Sequence, residues 1–229
     1  MHRRNSRRTA LVLTTAAIAA IPALTACGSE AHPGAAAVVG GQRITVSQLE
    51  SRVSEVRQAQ QDATDGSAQY EQAVAKSGGL TRNTLHTMVL DRVLHRAATD
   101  AGVSVSVSRK EMQEMRAGLE QQAGGSKQLE TAWLQQYNVA PKRLTESLRT
   151  EIEAQKLASS LGVDTQTPTG QAAFWKALSQ ASKELNIDLN PRYGSWGVTK
   201  SGTVGRVDAK TPWLTQVTQQ ASADQQQTA

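Results

Sequence analysis

The chain has 229 residues and a formal net charge of +5, from 25 Lys and Arg against 20 Asp and Glu. Four of the cations, Arg3, Arg4, Arg7 and Arg8, stand at the very start, so the remainder is close to neutral and offers no basic stripe for nucleic acid. The single cysteine, Cys27, excludes a disulfide framework and any zinc site built on paired cysteines.

The basic head is followed by an apolar run over residues 10–24, broken by Pro22, and then by small residues. That order is the pattern of an export signal. Leu24-Thr25-Ala26-Cys27 resembles a bacterial lipobox, in which the chain is cut between Ala26 and Cys27 and the Cys27 thiol takes a diacylglycerol group. The alternative is an ordinary signal peptide with an incidental cysteine. The run falls short of the roughly 20 apolar residues of a spanning helix. Two acyl chains, by contrast, suffice for stable anchoring. The expectation is a signal over residues 1–26 and a lipoprotein on the extracytoplasmic face of the cell membrane, with the lipid on Cys27 and no cofactor. Arg7-Arg8 keeps twin-arginine export open beside general secretion.

Residues 27–35 are small and polar, with Pro33, and read as a tether. Two short strands around Gly40-Gly41 predict a hairpin. Ser47 and Glu50 have the spacing of a capping box, and Leu49, Val53 and Val56 continue at helical period. A second helix is predicted over 81–100, with apolar residues on two faces and hence a central place. Ser108 and Glu111 form another capping box before a helix that Gly124-Gly125 stops. A short helix carries Leu129, Trp133 and Tyr137. Pro141 suits the first turn of the next helix, which runs through Leu144, Leu148, Ile152 and Leu157 to Gly162. A sixth helix carries Phe174, Leu178, Ala181 and Leu185. Residues 187–196 then alternate like a strand interrupted at Pro191. Both strand regions are too short to stand alone, which predicts that they pair. The expected fold is mainly α with a small β element, over residues 36–197. Residues 198–229, rich in Gln, Thr and Ser, read as a polar tail without stable fold, with Trp213-Leu214 its one apolar spot.

The order Ala37-Val38-Val39-Gly40-Gly41-Gln42-x-Ile44-Thr45, a capped helix, a two-faced helix ending in Ala101-Gly102-Val103, then Ser108-x-x-Glu111, resembles the N-terminal domain of SurA-type and PrsA-type chaperones. The resemblance covers about residues 36–163. Asn190-Pro191-Arg192-Tyr193-Gly194-x-Trp196 is similar to the end of SurA-like lipoproteins. Full SurA and PrsA proteins carry a parvulin-type prolyl isomerase domain after the long helix. The interval between Gly162 and the last strand is too short for a domain of at least about 50 residues. The resemblance therefore implies a SurA-like helical domain without the isomerase, not an enzyme.

Motif chemistry points the same way. His86 and His95 are nine positions apart on one helix and fall on opposite faces, so they cannot share a metal. No glycine pair is followed by a phosphate-binding pattern. Met112, Met115, Leu119, Trp133 and Tyr137 are the set of interest. Methionine adapts to varied apolar partners, and Trp and Tyr favour half-wet surfaces. These five either line a groove for unfolded segments or fill core. Two roles follow as expectations: a membrane-anchored folding helper that holds exported polypeptides by reversible apolar contact, or a docking lipoprotein of one envelope complex.

Overall fold

The computed structural model describes residues 34–64, 79–199 and 202–207. The expected signal, Cys27, nearly all of the tether, and Trp213-Leu214 lie outside them. Chain order begins with β1 (Ala35–Val39) and β2 (Gln42–Thr45), antiparallel, with Val39 opposite Gln42. The two-residue loop Gly40-Gly41 has φ of 57° and 76°, as hairpin twist requires.

Helix α1 (Val46–Ala63) starts where β2 ends. Thr45 is still extended, and its hydroxyl accepts from the Gln48 N–H at 3.1 Å while the Gln48 side chain accepts from the Thr45 N–H at 2.9 Å. This corrects the box expected at Ser47 and Glu50. Both pairs have the spacing, but Thr45 is the last paired strand residue, so the chain must turn there.

Helix α2 (Leu80–Asp100) is the axis of the domain, with Leu85, Val89, Val93 and Ala98 fully enclosed. It packs against α1, the later helices α5 (Leu144–Ser160) and α6 (Pro168–Glu184), and β1. Helix α3 (Arg109–Ala123) opens on the expected Ser108–Glu111 box and ends at Gly124, whose φ of 88° only glycine adopts freely. Helix α4 (Ser126–Tyr137) follows. Pro141 does not enter α5 directly: it begins a 3-10 turn, Pro141–Arg143, that runs into it. Helix α6 starts from a tight loop in which the Asp164 carbonyl lies against Gly170, so closely that any side chain there would collide with it.

The two ends of the domain meet. β3 (Asp188–Leu189) pairs antiparallel with β1, giving the sheet order β2-β1-β3, and Asn190 adds a side-chain hydrogen bond to the Ala35 carbonyl at 3.2 Å. The strand pattern over 187–196 breaks at Pro191, as its sequence predicts. Pro191 cannot donate to a ladder, and a 3-10 turn at Pro191–Tyr193 leads instead to β4 (Ser195–Val198). β4 pairs with β5 (Val204–Val207), so the ordered body continues past the expected limit at residue 197. This second hairpin is fixed by the Trp196 indole donating to the Ser182 hydroxyl at 2.8 Å and by Trp196 stacking 5.2 Å from His86.

Two apolar clusters result. The larger joins the sheet, α1, α2 and α6, and takes in Leu134 of α4 and Leu157 of α5. The smaller is Leu129, Leu144 and Leu148, against which α3 and α4 lay Met112, Met115, Leu119, Ala123 and Trp133. Among the described residues, no helix is long and apolar enough to cross a membrane.

Candidate functional site

The separation of the two clusters leaves a cleft of about 610 Å³ bordered by α1, α2, α3, α4 and α5. Val56 and Met88 present apolar surface from α1 and α2, and Met115, Leu119, Trp133 and Tyr137 from α3 and α4. Helix periodicity accounts for the last four: Met115 and Leu119 are four apart, as are Trp133 and Tyr137, so each pair shares a face. Trp133 is held by the small cluster and by an indole hydrogen bond to the Ser147 hydroxyl at 3.3 Å. Tyr137 packs on it, ring centres 5.2 Å apart, and remains 52% exposed.

Of the five residues singled out in the sequence, these four border the cleft. Met112 does not; it is half-buried against Leu129, Leu144 and Leu148. Met88 and Leu90, one from each apolar face of α2, also border the cleft; a two-faced pattern predicts burial and does not single them out.

Charge closes one end. The Arg143 guanidinium donates to Glu55 at 2.8 and 3.1 Å and to Glu146 at 3.0 Å, and Lys142 approaches Glu55 at 3.1 Å. Arg52 pairs with Glu146. This network ties α1 to the 141–143 turn and α5. Hydrogen bonding from Arg143 leads the causes that hold the Glu55 carboxyl down at about 2, against a rise from burial. Burial alone would raise Glu146; Arg52 and then Arg143 outweigh it and leave it lowered. Asp91 goes the other way: burial pushes its carboxyl up to about 6, opposed by the Arg52 charge and supported by Glu146 and Glu153. Arg52, Met88, Asp91, Arg143 and Glu146 also border a second depression of about 530 Å³ that extends toward Ser47 and Gln48.

The arrangement presents thioether, aromatic and aliphatic surface beside an ionic girder. Such a surface can hold apolar segments reversibly. Among the described residues, no group of three or more His, Cys, Asp or Glu side chains is placed to hold a metal ion. Residues 161–187 contain a loop and α6, with no room for a separate isomerase domain.

No curated protein and no solved structure matches the chain. A family model does: the one described as SurA-like N-terminal domain matches residues 1–158. The match includes both strands of the first hairpin, α1 to α4, nearly all of α5, and every residue that borders the cleft. The matched segment spans more than half of the chain and contains the whole cleft, and the chain belongs to the SurA-like N-terminal domain family.

Proposed function

We propose that the protein is a folding helper anchored to the extracytoplasmic face of the cell membrane by a lipid on Cys27, and that its cleft receives apolar segments of unfolded, exported chains. Family membership supports a chaperone-type role. The observation that carries the finer reading is the apolar wall of Met115, Leu119, Trp133 and Tyr137, half-buried or exposed and open to the cleft. A stable monomer seldom leaves contiguous apolar surface of this kind without use for it. The action is binding and release without covalent chemistry: folding of the client withdraws its apolar residues and ends the contact. Intact mass of the membrane-extracted protein tests the anchor; a mass without diacylglycerol would remove that part of the proposal.

An aggregation assay with a chemically unfolded client tests the rest. The full chain at stoichiometric ratio should slow light scattering. The double substitution Met115→Ser with Tyr137→Ser should lose most of this effect, because it removes roughly two side chains' worth of apolar area at about 25 cal/mol per Å². Unchanged protection by the double variant, at equal helical content, would refute the cleft as the client site.

A further inference from the structure

The apolar wall gives the cleft affinity for many sequences; its charges discriminate among them. Six charged side chains border it: Arg52, Glu55, Asp91, Arg143, Glu146 and Glu151. Both cations are engaged, Arg143 with Glu55 and Glu146, and Arg52 with Glu146. Lys142, just beside the cleft, is engaged with Glu55. Asp91 and Glu151 have no ion-pair partner within 4.0 Å among the described residues. Glu151 accepts a hydrogen bond from Gln155 at 3.4 Å. Both border the same cleft, Asp91 from α2 and Glu151 from α5. The result is an apolar wall facing an excess of negative charge in a partly desolvated setting, where an arriving cation gains more than it would at an open surface.

We propose that the cleft selects apolar segments that carry a lysine or arginine, the apolar side chains resting on the Met115–Tyr137 wall and the cation turned to Asp91 and Glu151. This deepens the client reading and rests on it. Neutral apolar segments would bind by the wall alone. Acidic ones would be repelled. The preference should also depend on pH. Asp91 is faced by Arg52 from α1 and by Glu146, Thr150 and Glu153 from α5, and burial holds its carboxyl up at about 6. As pH falls through that value Asp91 becomes neutral, and its share of the selectivity is lost.

Three short fluorescent peptides, alike in their leucine and phenylalanine residues but with Lys, Gln or Glu at one central position, provide the probe. Anisotropy titration of the full chain at neutral pH should give Lys tighter than Gln by roughly fivefold, about 1 kcal/mol, and Glu weaker than Gln. Asp91→Asn should reduce the Lys-to-Gln ratio to less than about twofold, and so should titration of the parent chain at about pH 5. Asp91→Asn should melt no lower than the parent at neutral pH. A folded-state carboxyl held above its unfolded value contributes stability only at low pH, so the charge removed is one the fold tolerates at a cost. Equal binding of Lys and Gln peptides would overturn the selectivity and leave the client site standing. Failure of all three to bind would overturn both. A Lys preference that survives Asp91→Asn and Glu151→Gln would overturn the assignment to these residues.

Discussion

Replacing Leu148 by alanine should loosen helix α3 from the domain at a cost of about 3 kcal/mol, within the range for large-to-small changes at enclosed sites. Leu148 is fully enclosed, and with Leu129 and Leu144 it forms a cluster of only three buried side chains. Helix α3 has no buried residue of its own. Its attachment rests on the half-buried faces of Met112, Met115 and Leu119 against that cluster. Helix α2, by contrast, is locked by Leu85, Val89 and Val93 in the larger core. Hydrogen exchange should therefore show amide protection falling most over residues 109–123, while α2 holds and α4 stays anchored by Leu134 in the larger core. Met115 and Leu119 would leave the wall of the cleft with α3, so client holding should fall as well. A uniform loss of protection would mean that the two clusters melt as one.

Arg143→Ala should cost about 2 kcal/mol at neutral pH, below the range of about 3–5 for a fully buried pair. The side chain of Glu55 is only 7% exposed and depends on this guanidinium, but Arg143 is itself 38% exposed and Lys142 remains at 3.1 Å. The pH dependence carries a sign. The Arg143 guanidinium holds the Glu55 carboxyl down at about 2 in the fold, below the ordinary 4.5 of a free glutamate. A lowered carboxylate stabilises above its unfolded value and loses that contribution as pH falls through the folded one. The difference between parent and variant should thus be full above pH 4.5 and shrink toward pH 2. A difference that stayed constant across this interval would place the effect in packing rather than in the ion pair.

Local spacing made most of the scaffold legible. The Ser108–Glu111 box, the glycine stop at Gly124 and the two apolar faces of α2 each depend on neighbours within a turn or so of helix. The closure of β1 by β3 was readable too, because two short strands have few other partners. What failed was non-local. Two capping spacings overlapped near residue 47, and the hairpin register, not the helix pattern, selected Thr45. β5 follows a stretch rich in Gly, Ser and Thr, and its place is set by β4 and by His86, which lies against Gly205. Met112 and Met115 look alike in sequence and both pack on the small cluster, yet only Met115 also borders the cleft. The ionic girder joins residues 88 and 94 positions apart, a distance at which sequence spacing carries no signal.

The central claim is that unfolded chains bind in the cleft between α1–α2 and α3–α4. Site-specific photo-crosslinking tests it most directly, with the reactive side chain placed at Tyr137 on the cleft or at Lys176, exposed on α6 and outside it. With an unfolded client present, the probe at position 137 should yield a client adduct that excess apolar peptide suppresses, and the probe at position 176 should yield little. Equal labelling from both positions, or labelling from 176 alone, would contradict the assignment.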